Sequence, residues 1–255
     1  MFRQGVAVRQ VGKGVYQISL AWSNAYLLTE GGEAALIDTG LAKDRGRLLE
    51  AVRQVGVAPE QIRAAYLTHA HCDHAGNAAY FAGRARKGSP TCRAAIYTHQ
   101  AEAPYLGRPL RTYAPPGWQR LVRLHTSLAF LAGELLYPVE RCGADVLLTE
   151  GQIVEAPGGP LRVLASPGHT PGHVAYFRER DGLLFSGDAV LNIIPVKRVT
   201  GLSLPMPLFT ENWEQAKQSA RRLAELRPAA LLAGHGWPLT EETAVRLAEW
   251  ARRLR

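Results

Sequence analysis

The stretch Thr68-His69-Ala70-His71-Cys72-Asp73-His74 is the most informative part of this sequence. It places four side chains that can bind a metal within six residues, namely His69, His71, Asp73 and His74. The chain has only eight histidines in 255 residues, so chance is a poor explanation for this cluster. Imidazole nitrogens bind zinc at about 2.0–2.1 Å and carboxylate oxygens at about 2.0–2.2 Å. A tight turn can therefore aim the first two histidines at one ion and Asp73 with His74 at a neighbouring one.

Three further candidate ligands stand far away in the sequence: His169 in SPGHTPGH, Asp188 in LLFSGDA and His235 in LLAGHG. Each follows an apolar, strand-like run and is surrounded by small residues. Residues just beyond the ends of several strands can converge at one edge of a sheet, and glycines let the backbone come close to a metal. A single histidine after a strand is usually structural, but the repeated context favours a shared metal site.

The order of apolar runs predicts two sheets. Short β-rich runs from Gly5 to Asp38 predict an antiparallel meander, and strands resume from Asp145. Helices are predicted over Lys43–Val55, about Asp73–Phe81, Trp118–Leu136, near Glu211–Leu226 and Thr240–Leu254. Two groups of strands, each followed by helices, favour two sheets packed face to face with helices outside, which is an α/β (α+β) arrangement. We expect a single domain over residues 1–255.

The pattern changes between Gln100 and Arg141, where proline and aromatic residues become frequent. We interpret residues 100–141 as a partly helical insertion. It is either a helix of the core or a wall or lid over an active site, where aromatic side chains would select the substrate.

The composition favours a folded globular protein, with 47% hydrophobic and 20% charged residues. The net charge of +8 would suit an anionic partner, but the basic residues are scattered, which favours a solvated surface over a nucleic-acid site. Three cysteines without a CxxC pair argue against a disulfide framework. Neither a secretory signal nor a run of about 18 apolar residues is present. We expect a cytoplasmic protein without membrane attachment that acts on a small molecule.

The chain resembles the metallo-β-lactamase superfamily, whose HxHxDH motif corresponds to His69, His71, Asp73 and His74. The resemblance runs from about Val15 to Trp237 and implies a four-layer αββα sandwich. It also implies that His69, His71 and His169 hold a first metal. Asp73, His74 and His235 would hold a second metal, and Asp188 would bridge the two.

The other polar residues near these motifs are expected to have supporting roles or none. By the same resemblance Asp38, at the end of the run AALID, would lie beneath the metals and accept a hydrogen bond from a ligand imidazole. His173 is expected to be a structural residue rather than a ligand. His99, His125 and Cys72 are expected not to bind metal.

Two divalent cations about 3.5–4 Å apart can lower the pKa of a shared water from 15.7 towards neutrality and so provide a hydroxide nucleophile. We therefore expect a binuclear hydrolase that uses a metal-bridging hydroxide, with Asp73 and Asp188 as catalytic residues. The expected cofactors are two zinc ions, with iron or manganese as alternatives. The expected substrate is a small ester, thioester or lactone.

Several features of this sequence differ from those of particular branches of the superfamily and argue against membership of those branches. His71 stands where di-iron, oxygen-reducing members have Glu, and Asp188 stands where true β-lactamases usually lack Asp. RNA-processing members usually have a large extra domain, for which the chain has no room.

Glyoxalase II enzymes share the GHTPGH and SGD motifs, but only about twenty residues follow His235, too few for their helical glutathione-binding domain. Lactonases match in length, although Leu191 stands where they place a catalytic Tyr.

Two other classes stay open. Persulfide dioxygenases have one iron at the positions of His69, His169 and Asp188, and a phosphodiesterase or nuclease would suit the positive charge. Relatives of this superfamily often form homodimers, so a homodimer is a further expectation.

Overall fold

Twelve strands in two sheets form the centre of the protein, whose computed structural model describes residues 7–84, 93–107, 140–195, 197 and 199–254. The first sheet contains β1 (Ala7–Gly12), β2 (Val15–Ser19), β3 (Asn24–Glu30), β4 (Glu33–Ile37), β5 (Ile62–Tyr66), β6 (Ala95–His99) and β7 (Val146–Leu148). The second contains β8 (Ile153–Val154), β9 (Leu161–Ala165), β10 (Val174–Arg178), β11 (Leu183–Gly187) and β12 (Ala230–Ala233).

The strands are mostly neighbours in sequence order. The first sheet has the order β1-β2-β3-β4-β5-β6-β7 and the second β12-β11-β10-β9-β8. Strands β1 to β4 form the antiparallel meander that the sequence predicts, and β4 to β7 then pair in parallel. In the second sheet only β11 and β12 pair in parallel. The carboxyl ends of the parallel strands therefore point towards the same edge of each sheet.

Period-two alternation places one side of each sheet in a shared core. On β3, Tyr26 and Leu28 face the second sheet, where they pack with residues such as Tyr176 and Phe185. Ala25 and Leu27, which alternate with them along the strand, belong to a different cluster on the outer side. Successive side chains on a strand point to opposite faces, so each inner strand is apolar on both sides.

Helices cover both outer faces. They are α1 (Arg45–Gln54), α2 (Cys72–Ala75), α3 (Ala78–Phe81), α4 (Trp213–Glu225) and α5 (Thr243–Arg252). Helix α1 packs Leu48 and Val52 against the first sheet. Helices α4 and α5 pack Leu223 and Leu247 against the second. Burying one such side chain contributes about 1.5–3 kcal/mol, so packing rather than helix propensity stabilises these helices. The expected four-layer αββα arrangement is confirmed.

One predicted helix is wrong in its extent. The sequence predicts a single short helix over about Asp73–Phe81, but the structure has two, α2 and α3, separated by Gly76 and Asn77. The Asn77 amide donates to the carbonyl oxygens of Thr39 and Leu41, both at 2.8 Å. These bonds tie the break between the helices to the loop after β4. Hydrophobic periodicity could not reveal this, because the partners are backbone groups far away in sequence.

The predicted helix Trp118–Leu136 and most of the insertion lie outside the described residues. The described parts of residues 100–141 are the segment up to Gly107, with a short 3₁₀ helix at Ala103–Tyr105, and the two residues Glu140 and Arg141. Among the described residues, no helix combines the length and the apolar character needed to cross a membrane.

Candidate metal centre

All seven predicted ligands follow strands at one edge of the two sheets. His69, His71, Asp73 and His74 follow β5, His169 follows β9, Asp188 follows β11 directly and His235 follows β12. The structure brings these four separate stretches together. It places their ligand atoms in three groups within 4.8 Å: His69 with His71 and His169, His69 with His74 and Asp188, and Asp73 with His74 and His235.

The first group is closely packed around His71. Its Nδ1 lies 3.0 Å from His69 Nε2 and 2.9 Å from His169 Nε2. All three imidazoles are buried. Three ring nitrogens therefore face a common point, which is the arrangement required to coordinate one cation.

Asp188 lies between the first group and the second, which consists of Asp73, His74 and His235. Its Oδ2 is 3.5 Å from His169 Nε2 and 3.2 Å from His235 Nε2. Its Oδ1 is 3.4 Å from His74 Nε2. The carboxylate therefore contacts both groups of imidazoles, as a bridging ligand would.

An orphaned polar atom supports the fit of this site to metal ions. Among the described residues, buried Asp188 Oδ1 accepts no hydrogen bond, although it lies 3.4 Å from His74 Nε2. Burying a charged oxygen that accepts no hydrogen bond is costly. A cation between the imidazole nitrogens and this carboxylate would satisfy the oxygen, so the residues present fit a divalent metal site.

The electrostatics of the first group also suit metal binding. Burial and the surrounding imidazoles hold the pKa values of His69 and His169 well below the usual histidine range. Burial lowers the pKa of His71 to about 4, despite the nearby carboxylates. These rings are therefore neutral at neutral pH. Since a histidine must be neutral to coordinate a metal, the first group is already in its binding form.

The second group is surrounded by negative charge. Burial alone would lower the pKa of His74, but Asp188, Asp73 and Asp38 together raise it to about 10. Burial alone would raise the pKa of Asp188, but His235 and His74 hold it well below its usual range. Asp188 is therefore ionised, and the carboxylates around His74 create a strong attraction for positive charge.

Asp38 lies beside His74 and can orient its ring. Its buried carboxylate accepts the Nδ1–H of His74 at 2.8 Å and the backbone N–H of Thr68 at 2.8 Å. The φ angle of Asp38 is 58°, a left-handed conformation in which Asp is among the more tolerated residues. Holding Nδ1–H in this way leaves His74 Nε2 facing the second group.

His173 also has the structural surroundings expected of it. Its Nδ1 lies 2.8 Å from the Ser166 hydroxyl, and its Nε2 accepts the backbone N–H of Asp188 at 2.9 Å. Burial lowers the pKa of His173 to about 3, so the ring is neutral and can accept that bond. It belongs to none of the three groups of potential ligands found among the described residues.

The other three residues expected not to bind metal differ in what the structure says of them. His99 and Cys72 are absent from the groups of potential ligands found in the described part of the chain. Burial raises the pKa of the Cys72 thiol to about 12, which keeps it protonated. His125 lies outside the described residues.

Gly234 is required by the closeness of the ligands. A Cβ atom at this position would lie 2.3 Å from Asp188 Oδ1 and 2.7 Å from His74 Cε1. The glycine beside His235 in LLAGHG therefore lets the backbone of β12 approach Asp188. This is the physical reason for the small residues around the predicted ligands.

The turn between β2 and β3 holds two residues of the second group in place. The sequence did not indicate this role of the turn. The backbone oxygen of Trp22 accepts the Nδ1–H of His235 at 2.6 Å. The Ser23 hydroxyl donates to the backbone oxygen of Asp73. Both bonds join a side chain to a distant backbone oxygen, so no side-chain motif reveals them. The one available signal is a tryptophan in a polar turn, AWSN.

A cavity of about 210 Å³ borders this side of the centre. Trp22, Asn24, Asn192 and Trp237 are among the residues that line it. The indole side chains are unusually open, since Trp22 is 63% exposed and Trp237 is 48% exposed. Its wall includes Trp22, whose backbone oxygen holds His235, and Gly236, which follows His235 in the sequence.

Comparison with known proteins agrees with this geometry. The family model of the metallo-beta-lactamase superfamily matches residues 23–235. The probable metallo-hydrolase YflN of Bacillus subtilis (strain 168) is 29% identical over 96% of this chain and 92% of its own length. An atrochrysone carboxyl ACP thioesterase of Aspergillus fumigatus is 24% identical over 90% of this chain and 55% of its own length.

A solved structure extends the agreement to three dimensions. The metallo-beta-lactamase family protein TTHA1429 of Thermus thermophilus superposes with a TM-score of 0.70 at 26% identity, covering 95% of this chain and 80% of that one. The family match spans every predicted ligand from His69 to His235, and the chain therefore belongs to the metallo-β-lactamase superfamily as a metal-dependent hydrolase.

Proposed function

We propose that this protein is a binuclear hydrolase of small esters, thioesters or lactones. The observation that carries the proposal is the position of Asp188 between two groups of ligands, with oxygen–nitrogen distances of 3.2–3.5 Å to both. In this proposal His69, His71 and His169 hold the first ion. Asp73, His74 and His235 would hold the second, and Asp188 would be a ligand shared by the two.

Two divalent ions held in this way would supply Lewis acidity and lower the pKa of water towards neutrality. The expected metal is zinc, with iron or manganese as alternatives. The protein itself supplies ionised Asp188 and the neutral imidazoles of the first group, so none of these ligands must change its charge before metal binds.

The direction of substrate approach follows from exposure. The side chain of His235 is 22% exposed and that of Asp73 is 16% exposed, whereas His74 is completely buried. Substrate can therefore approach from the side of the second group. In the proposal Asp73 and Asp188 are the catalytic carboxylates, and Asp73 is the more open of the two.

The cavity between Trp22 and Trp237 lies on this same side and is proposed to hold the acyl part of the substrate. Its volume of about 210 Å³ is below the roughly 300–1,000 Å³ typical of sites for whole drug-sized ligands, which favours a small group. Arg9 lies 4.8 Å from the centre of the Trp237 ring and Lys43 lies 5.5 Å from that of Trp22. These cations favour substrates that carry a negative charge near the mouth of the cavity.

The sequence places substrate selection in the insertion over residues 100–141, most of which lies outside the described residues. That role stays a prediction. The described cavity provides a second place for selection, formed by the β2–β3 turn and the segments after β11 and β12. The thioesterase relative supports thioesters as one substrate class to be tested.

The presence of all three residues of the second group favours a binuclear hydrolase over a one-iron dioxygenase. Asp73, His74 and His235 have ligand atoms within 4.8 Å of one another, so the chain has the donors for a second ion. A nuclease activity is supported only by the net charge of +8.

The proposal also includes small-molecule substrates, a cytoplasmic location and a homodimer. Light scattering would test the homodimer.

The test is a hydrolysis panel on zinc- and manganese-loaded protein, with metal-free protein as the control. It should contain simple esters, thioesters, lactones, phosphodiesters and β-lactams of matched size. We expect kcat/KM to be highest for one of the first three classes and to vanish without metal. Turnover confined to phosphodiesters, or oxygen consumption with a persulfide in place of hydrolysis, would contradict the proposal.

A further inference from the structure

Glu102 is a buried carboxylate that the metal groups do not use. It is 2% exposed and lies just after β6, at the beginning of the predicted insertion. Its Oε2 accepts the backbone N–H of Ala70 at 2.8 Å, and its Oε1 accepts the backbone N–H of Gly172 at 2.8 Å. One side chain therefore holds two loops that are about one hundred residues apart in sequence.

These two loops carry the first group of ligands. Ala70 stands between His69 and His71, and Gly172 stands three residues after His169. Hydrogen bonds from N–H groups to a carboxylate are roughly twice as strong as those between neutral groups. Glu102 therefore fixes the distance between the backbone segments that present these three imidazoles.

The packing around Gly172 leaves no room for a side chain. A Cβ atom at this position would lie 2.9 Å from Glu102 Cγ and 2.8 Å from His99 Nδ1. The turn after β6 is therefore pressed directly against the His169 loop. Movement of Glu102 would change the position of that loop.

Placing a carboxylate here has a cost. Burial raises the pKa of Glu102, while the N–H groups of Ala70 and Gly172 act in the opposite direction. Within the described part of the chain, Glu102 forms no ion pair with a basic side chain that would offset its burial. Neutral donors from the two ligand loops are therefore the interactions that favour its charged form.

The second group is held by different contacts. His74 is bonded to Asp38, and His235 is bonded to the backbone oxygen of Trp22. Neither contact involves Glu102. Loss of its carboxylate should therefore affect the first group much more than the second.

We infer that Glu102 is a positioning residue that sets the affinity of the first metal site by fixing the His69–His71 loop against the His169 loop. This inference rests on the proposed function, because it assumes that the two groups bind separate ions. Residues that orient metal ligands typically change metal affinity by about 10–100-fold when they are mutated.

The test compares metal binding in the wild-type protein and in Glu102→Gln, which keeps the size of the side chain but can offer only one acceptor oxygen. Competition titration with a chromophoric chelator gives the affinity for each of the two ions. We expect one affinity to fall about 10–100-fold and the other to stay within about 3-fold. Glu102→Asp, which keeps the charge on a shorter side chain, should recover part of the loss.

Cobalt(II) substitution identifies the weakened site. Ring N–H protons of histidines bound to cobalt give strongly shifted NMR signals. With limiting cobalt, Glu102→Gln should lose the signals of His69, His71 and His169 and keep those of His74 and His235. A purely structural role would weaken both sets together.

Asp145→Asn is the matched control, since Asp145 also accepts a backbone N–H, that of Ile96 at 2.9 Å, away from the centre. It should leave both affinities unchanged. Equal affinities in Glu102→Gln and wild type, or equal losses at both sites, would overturn the inference. Failure of the wild-type protein to bind two ions would instead contradict the proposed function. If Glu102→Gln does not fold, Glu102→Asp is judged by the same two outcomes.

Discussion

His74 and Asp38 form a buried pair in which the imidazole Nδ1 lies 2.8 Å from the carboxylate Oδ2. The Asp38 carboxylate also accepts the backbone N–H of Thr68, so it joins the beginning of the metal-binding loop to a ligand near its end. This contact determines which nitrogen of His74 faces the centre. It also links the end of β4 to the loop after β5.

Replacing Asp38 should therefore weaken metal binding without abolishing the fold. Asp38→Ala removes the acceptor for His74 Nδ1–H, so the ring loses its fixed orientation. We expect the affinity for metal to fall about 10–100-fold, as measured by competition with a chelator. An unchanged affinity in a folded Asp38→Ala protein would show that His74 is oriented by other contacts.

Asp188 should be the most sensitive position for turnover. Asp188→Ala removes the carboxylate that contacts both groups, so turnover should fall by several orders of magnitude and metal content should drop. Steady-state kinetics and metal analysis on the same sample check both effects. Circular dichroism should show the wild-type fold, and full activity in this variant would contradict the assignment.

Gly234 should tolerate no side chain. In Gly234→Ala the new methyl group would lie 2.3 Å from Asp188 Oδ1, so the ligands must move apart. We expect about 1–3 kcal/mol loss of stability in the metal-loaded protein, measured by chemical denaturation. Gly46→Ala in α1 is the control, since its methyl group would meet nothing within 4 Å. Alanine is more stable than glycine inside a helix, so the free energy of unfolding should rise by about 0.5–1 kcal/mol. Similar behaviour of the two variants would argue against close packing at the centre.

Trp237 should affect substrate binding rather than chemistry. Trp237→Ala removes one wall of the cavity, so KM for esters with a small apolar acyl group should rise about 10-fold, or about 1.4 kcal/mol, with little change in kcat. Val245→Ala, at an exposed residue 51% accessible on α5, is a control that should change neither value. A fall in kcat with unchanged KM would place the acyl group elsewhere.

Much of the fold and of the candidate centre could be predicted from sequence because the signals are local. Alternation within β3 and the short spacing of His69 to His74 are both visible within a few residues. Metal ligation itself stays a prediction, although the structure gathers all seven side chains.

The contacts that support the centre could not be predicted in the same way. The side chains of Glu102 and Ser23 bond to backbone groups of other residues, and Trp22 contributes its own backbone oxygen. Nearly every residue has such N–H and C=O groups, so no residue pattern marks these contacts. The break between α2 and α3 has the same origin, since Asn77 bonds to backbone oxygens of the loop after β4. Such contacts depend on the finished fold rather than on neighbouring residues.

Metal content per chain tests the central claim most directly. Protein loaded with zinc and dialysed against metal-free buffer should contain about two ions per chain by mass spectrometry, and His235→Ala should contain about one. Two ions in the wild type with one in the variant is the result expected for two groups joined by Asp188. A single ion in both proteins, above all a single iron, would contradict it.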